Sequence, residues 1–111
     1  MRYYKRKKFL QLNPGIIYFD DKLGLCVKLE TLVDKNGHPC DFFYRPITSI
    51  EFESSEDLLE KEEDSSKNGT SYPMNSSEAR DGFFDDSRVF LVFEYLDLKR
   101  LEADICYAES I

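Results

Sequence analysis

Arg80-Asp81-Gly82-Phe83-Phe84-Asp85-Asp86-Ser87, followed by Val89-Phe90-Leu91-Val92-Phe93-Glu94-Tyr95 and then by Asp97 to Ile105, is the stretch on which the fold turns. Asp81-Gly82 marks a turn, because Gly tolerates the backbone angles that turns need, and Phe83-Phe84 is its hydrophobic anchor. In the next segment Val89, Leu91, Phe93 and Tyr95 project to one side while Phe90 and Val92 project to the other. A strand that is apolar on both sides belongs inside a sheet. Asp97 then reads as the cap of a helix in which Leu98, Leu101, Ile105 and Ala108 recur at spacings of three and four. One apolar stripe of that kind suits a helix lying across the sheet.

Upstream, the chain reads as a small antiparallel meander. Residues 1–8 form a basic leader, with Arg2, Lys5, Arg6, Lys7 and Lys8 around Tyr3 and Tyr4; it is either a first strand or a frayed terminus. Asn13-Pro14-Gly15 is a turn, Ile16 to Phe19 a short strand and Asp20-Asp21-Lys22 the next turn. From Leu23 to Val33 the sequence alternates, Leu23, Leu25, Val27 and Leu29 on one face and Gly24, Cys26, Lys28 and Glu30 on the other, which predicts a half-buried strand. Asp34 to Pro39 closes a hairpin. The returning strand from Asp41 carries Phe42, Phe43 and Tyr44, breaks at Pro46 and resumes through Thr48, Ile50 and Phe52.

Ser54 then caps a helix whose first turn holds Glu56 and Asp57, where carboxylates complement the helix dipole, and which stops near Asn68-Gly69. Only Leu58 and Leu59 are large and apolar there, so this acidic helix is weakly anchored. Residues 70–78 read as loop. With 111 residues and one helix–sheet core, the expected architecture is a single α+β domain spanning 1–111: an antiparallel sheet of about five strands, a C-terminal helix packed on it, and an acidic helix and loop over 54–79.

Charge is distributed unevenly. Residues 1–50 hold nine Lys/Arg against five Asp/Glu, whereas residues 51–86 hold three against twelve, and the chain carries −7 in all. Phosphate backbones repel such a chain unless its cations gather on one face, which weighs against direct nucleic-acid binding. The longest apolar run, Val89 to Phe93, is far short of the roughly 20 residues that span a bilayer, so no membrane segment is expected. Three cysteines without paired spacing, and no secretory leader, point to a reduced, cytoplasmic setting. Asn68-Gly69-Thr70 and Asn75-Ser76-Ser77 match the glycosylation sequon and read as chance matches.

Chemistry is scarce. The single His38 lies in a predicted hairpin turn, and with Cys40 it supplies two of the three or four ligands a zinc site needs. Cys26 and Cys106 read as packed thiols. Gly15, Gly24, Gly37, Gly69 and Gly82 are scattered and form no phosphate loop, and the acids around Asp81 lack the alternation of a calcium loop. No catalytic residue, metal or cofactor is therefore expected. The carboxylates from Glu51 to Asp64 are either a solvated face or an imitation of a phosphate backbone that could occupy a nucleic-acid-binding protein's groove.

Phe9-Leu10-Gln11-Leu12-Asn13-Pro14-Gly15-Ile16-Ile17-Tyr18, Arg80-Asp81-Gly82-Phe83-Phe84-Asp85 and Phe90-Leu91-Val92-Phe93-Glu94 with Asp97-Leu98 resemble a type of small phage- or prophage-encoded protein. That resemblance covers both ends of the chain and leaves the acidic middle uncovered. It implies a module that binds and blocks a host protein, antiviral defence components included, in the bacterial cytoplasm. The expected contact residues are Asp81, Phe83, Phe84, Asp85 and Asp86 in the turn, with Glu56, Asp57, Glu60 and Glu63 on the acidic helix, because aromatic anchors dominate interface energies. Three rivals are the acidic nucleic-acid mimic, a nucleic-acid binder acting through the basic leader, and a small-ligand binder or enzyme. Oligomeric state stays open.

Overall fold

The computed structural model describes residues 1–111. Its elements run β1 (Arg2–Lys5), α1 (Arg6–Phe9), β2 (Ile17–Asp20), β3 (Gly24–Val33), β4 (Pro39–Pro46), α2 (Ser55–Asn68), β5 (Ala79–Arg80), β6 (Val89–Val92) and α3 (Tyr95–Glu109). All strands pair antiparallel in one six-stranded sheet of order β1-β6-β2-β3-β4-β5. The α+β class is as the sequence indicates. β6, apolar on both sides, is flanked by β1 and β2; residues 2–5 of the basic leader form a paired edge strand and residues 6–8 enter α1. Thr48 to Phe52 does not continue as a strand; only Ile50 makes a bridge, to Met74.

One face of the sheet holds the core. Phe9, delivered by the single turn of α1, stacks on Phe90 with centroids 4.0 Å apart and meets Tyr18 and Phe42 edge-on at 5.0 and 5.2 Å. Leu10, Cys26 and Val92 complete the cluster. Burial pushes the Cys26 thiol up to about 12 and raises the Tyr18 phenol, so both stay neutral at ordinary pH.

The structure buries β3 on both faces at its centre: Val27 of the apolar row is 7% exposed, Cys26 is buried as a packed thiol should be, and Lys28, on the polar row of the alternation, also points into the core and is 0% exposed. Its Nζ donates to the carbonyls of Leu12 (2.8 Å) and Leu29 (3.2 Å) and to Thr31 Oγ1 (2.7 Å). A register shift between Lys28 and Thr31 inserts one extra residue in β3, which brings Thr31 to the same side as Lys28. Burial without a counter-ion lowers the Lys28 pKa. Lys28→Met strands two buried carbonyls and is expected to cost about 2 kcal/mol in urea unfolding. The sign with pH follows: below its usual value the folded lysine binds fewer protons than the unfolded one, so the wild-type chain gains stability on this account as pH rises toward 10.5. The Met variant lacks that gain.

Gly24 opens β3 at φ +79°, and a Cβ there would lie 2.3 Å from Thr48 Oγ1. That oxygen accepts the Leu25 N–H at 2.9 Å and so cannot move freely. Gly24→Ala combines a left-handed residue with a collision, and thermal unfolding should report a loss of about 2 kcal/mol or more.

Both long helices stand clear of the sheet. α2 begins as expected, with Ser54 Oγ accepting the Asp57 N–H at 3.1 Å, and ends at Gly69 with φ +71°. It buries no residue and is tied only to its own flanks, by Lys61 to the Glu51 carbonyl and by Tyr72 to Asp64. α3 differs from expectation in two ways. Its N-cap is Glu94, with Asp97 at the third position closing a capping box. It also does not lie across the sheet: it buries no residue, Leu98 and Leu101 are half-buried, and Ile105 is exposed. The capping box directs the helix off the end of β6. The radius of gyration of 15.8 Å, against about 13 Å for a compact chain of this length, reflects these projecting helices.

Candidate contact surface

The Arg80–Arg88 turn is fastened from three sides. Asp41 on β4, 0% exposed, pairs with Arg80 Nε at 2.5 Å and accepts the N–H groups of Phe42 (2.9 Å) and Gly82 (3.1 Å). Burial by itself would raise the Asp41 carboxyl; the Arg80 side chain and the two backbone N–H groups outweigh it and hold the pKa below the usual range. Arg88 grips Asp81 with 2.7 Å contacts to both carboxylate oxygens. Arg6, 4% exposed at the start of α1, donates through Nε to the Phe83 carbonyl at 3.0 Å and through Nη2 to the Cys40 carbonyl, with Asp86 3.6 Å from its Nη1.

On this frame Phe83 and Phe84 are 67% and 61% exposed. Each ring lies against a guanidinium: Arg88 is 5.6 Å from the Phe83 centroid and Arg6 is 5.5 Å from that of Phe84. Arg88 also sits 4.5 Å from buried Phe90, which links the platform to the core. Such contacts contribute about 0.5–1 kcal/mol each at exposed sites. Asp85 is exposed and accepts from Ser87, whose hydroxyl and N–H hold its pKa below the usual carboxylate range. Asp86 is exposed at the rim.

The turn residues therefore cluster, with one correction. The Asp81 side chain is 4% exposed and spent on Arg88, so it holds the platform instead of facing outward. The acids of α2 form a separate set, since no hydrogen bond or ion pair joins α2 to the turn. Asp57 is paired with Lys61 at 3.1 Å and Glu63 with Lys67, while Glu56 and Glu60 are exposed and make no ion pair. Sequence reading did not find Arg6, Asp41 and Arg88 as the supports. Arg6 carried a signal, since it shares one helical face with Phe9 and Leu10 at spacings of three and four; Asp41 did not, because its partners lie 39 and 41 residues away.

Other sequence candidates are dispersed. Cys26 is buried, Cys40 half-buried and Cys106 exposed, all unpaired. His38 is in the expected hairpin turn, 3.9 Å from Asp34. No three His, Cys, Asp or Glu side chains are grouped so as to hold a metal ion. The Asn75 amide is buried and donates to the carbonyls of Pro46 and Ser77, so that sequon presents no free acceptor. No helix is long and apolar enough to cross a membrane. No family model, curated protein or solved structure matches the chain.

Proposed function

We propose that this chain is a non-enzymatic interaction module of the phage type that inhibits or modulates a host protein by covering part of its surface. The observation that carries the reading is the pair Phe83 and Phe84, exposed on a turn whose backbone is pinned by Asp41, Arg6 and Arg88. Large apolar rings rarely face water side by side without a partner, and rings already fixed in place lose little entropy on docking. Asp86 supplies a charged rim.

Affinity capture from a bacterial host lysate, read by mass spectrometry, tests this. Phe83→Ala/Phe84→Ala should lose its captured protein by at least tenfold while unfolding within about 0.5 kcal/mol of wild type, as surface substitutions do. Capture unchanged in the double variant would contradict the assignment.

A second reading has one observation in its favour. Glu56, Glu60 and Glu63 lie along one face of α2, at spacings of four and three, and two of them are unpaired. As a nucleic-acid mimic the chain would capture a nucleic-acid-handling protein in a salt-sensitive manner, and Glu56→Lys/Glu60→Lys would abolish that. For the basic leader, Arg6 is buried and Arg2 sits 3.4 Å from Glu94, which leaves Lys5, Lys7 and Lys8. A gel shift at low salt, lost with those three lysines, would be its signature.

A further inference from the structure

Opposite the core, the sheet face over β1, β6 and β2 is apolar and open, although Val27 farther along on β3 is buried. Tyr3, Leu91, Phe19 and Leu25 stand in one row across β1, β6, β2 and β3, each the register partner of the next. Neither α2 nor α3 packs on it, and Tyr3, Val89 and Phe19 are 68%, 53% and 46% exposed around a depression of about 370 Å³. The same chain holds out an unpartnered apolar helix, on which Leu98 and Leu101 are half-buried and Ile105 is 51% exposed. The accessible surface is 8050 Å², against about 6,300 Å² for a compact monomer of 13.0 kDa. That excess, about 1,750 Å² on one chain, is about twice the roughly 800 Å² that each partner gives to a standard stable interface.

We infer that the open sheet face is covered by α3 of a second copy of this chain, in a twofold dimer where each chain gives its helix and receives its partner's. Charge selects this pairing. Along α3 the stripe Leu98-Leu101-Ile105 is flanked on one side by Glu102 and Glu109 and on the other by Asp97 and Asp104; Asp97 pairs with the N-terminal ammonium at 2.7 Å and Glu102 with Lys99 at 3.3 Å, whereas Asp104 and Glu109 make no ion pair. Two such helices laid stripe to stripe would set acids against acids. The sheet face offers cations instead: Lys5 on β1 shares the side of Tyr3, Arg45 on β4 is the register partner of Val27, and neither makes an ion pair within the chain. Their strands lie four spacings apart, about 19 Å across the sheet, and the two cations are offset by four residues along it, at opposite corners of the apolar row, so a helix of about 10–12 Å diameter fits between them. Asp20 and Asp21 border the depression, and Asp20 faces Arg88 at 3.9 Å. The chain's own helix is held away from the face by the Glu94–Asp97 capping box and the Arg2–Glu94 contact. A twofold arrangement makes each contact twice.

Sedimentation equilibrium of the full chain should give twice 13.0 kDa at high concentration. Phe19→Asp and Ile105→Asp should each return the mass to 13.0 kDa without changing the far-ultraviolet spectrum, since both side chains are about half exposed within one chain. Independently, chains carrying Phe19→Cys are mixed with chains carrying Ile105→Cys, both in a Cys40→Ser/Cys106→Ser background, and oxidised. A disulfide joining one chain of each kind supports the exchange. A monomer at every concentration, a dimer indifferent to both Asp substitutions, or the absence of any disulfide between the two kinds of chain would overturn it.

Discussion

Phe9→Ala is expected to remove about 4 kcal/mol of stability, the largest loss of any single substitution in this chain. Phe9 is 0% exposed, stacks on Phe90 and meets Tyr18 and Phe42 edge-on, so it is the one ring that touches the other three of the central cluster at 5.2 Å or less. Phe→Ala in a packed core costs about 3–5 kcal/mol, from lost transfer energy and the cavity left behind. Only 13 of 111 residues are buried, which places the domain toward the low end of the usual 5–15 kcal/mol. The variant should therefore unfold near room temperature or in very little urea. Phe9→Leu, which keeps most of the volume, should retain a cooperative transition; equal losses in the two variants would show that Phe9 is not the keystone.

Asp41→Ala is expected to cost about 3 kcal/mol, for a different reason. The Arg80 side chain is 55% exposed and regains water when its partner goes, so the penalty lies with the N–H groups of Gly82 and Phe42, which lose their acceptor. This sits at the low end of the range for breaking a buried pair. Because the folded Asp41 pKa is depressed, its contribution is complete above the unfolded value of about 3.9 and disappears as pH falls through that value toward the folded one. Asp41→Asn should thus flatten the acid limb of the stability curve. A variant as acid-sensitive as wild type would remove Asp41 from this role.

Much of the fold was legible because it is local. Asn13-Pro14-Gly15, the Asp34 to Pro39 hairpin, Ser54 and Gly69 of α2 and the two-sided apolarity of Val89 to Val92 all act through near neighbours or through residue pattern. Two things were not. Alternation in β3 marks two faces but does not say which one α1 will cover, and Phe9 settles that in favour of the face holding Cys26 and Lys28. The stripe of α3 gives a face needing cover but not its cover; Glu94 and Asp97 steer the helix off the sheet. The candidate surface divides in the same way. Phe83, Phe84 and Asp86 follow from composition, whereas the inward turn of Asp81 depends on Arg88, and the platform as a whole depends on Arg6 and Asp41, distant in sequence.

The turn bearing Phe83 and Phe84 should be formed before any partner arrives. Amide hydrogen exchange in the free protein tests it most directly, since the Asp81 N–H donates to the Phe42 carbonyl at 3.0 Å and the Gly82 N–H to the Asp41 carboxylate. These two amides should exchange as slowly as those of β4, and Asp41→Ala, which removes the acceptor, should expose the Gly82 amide while the Asp81 amide, bonded to the Phe42 carbonyl, stays protected. Exchange of both at the rate of an unfolded chain in the wild-type protein would contradict it.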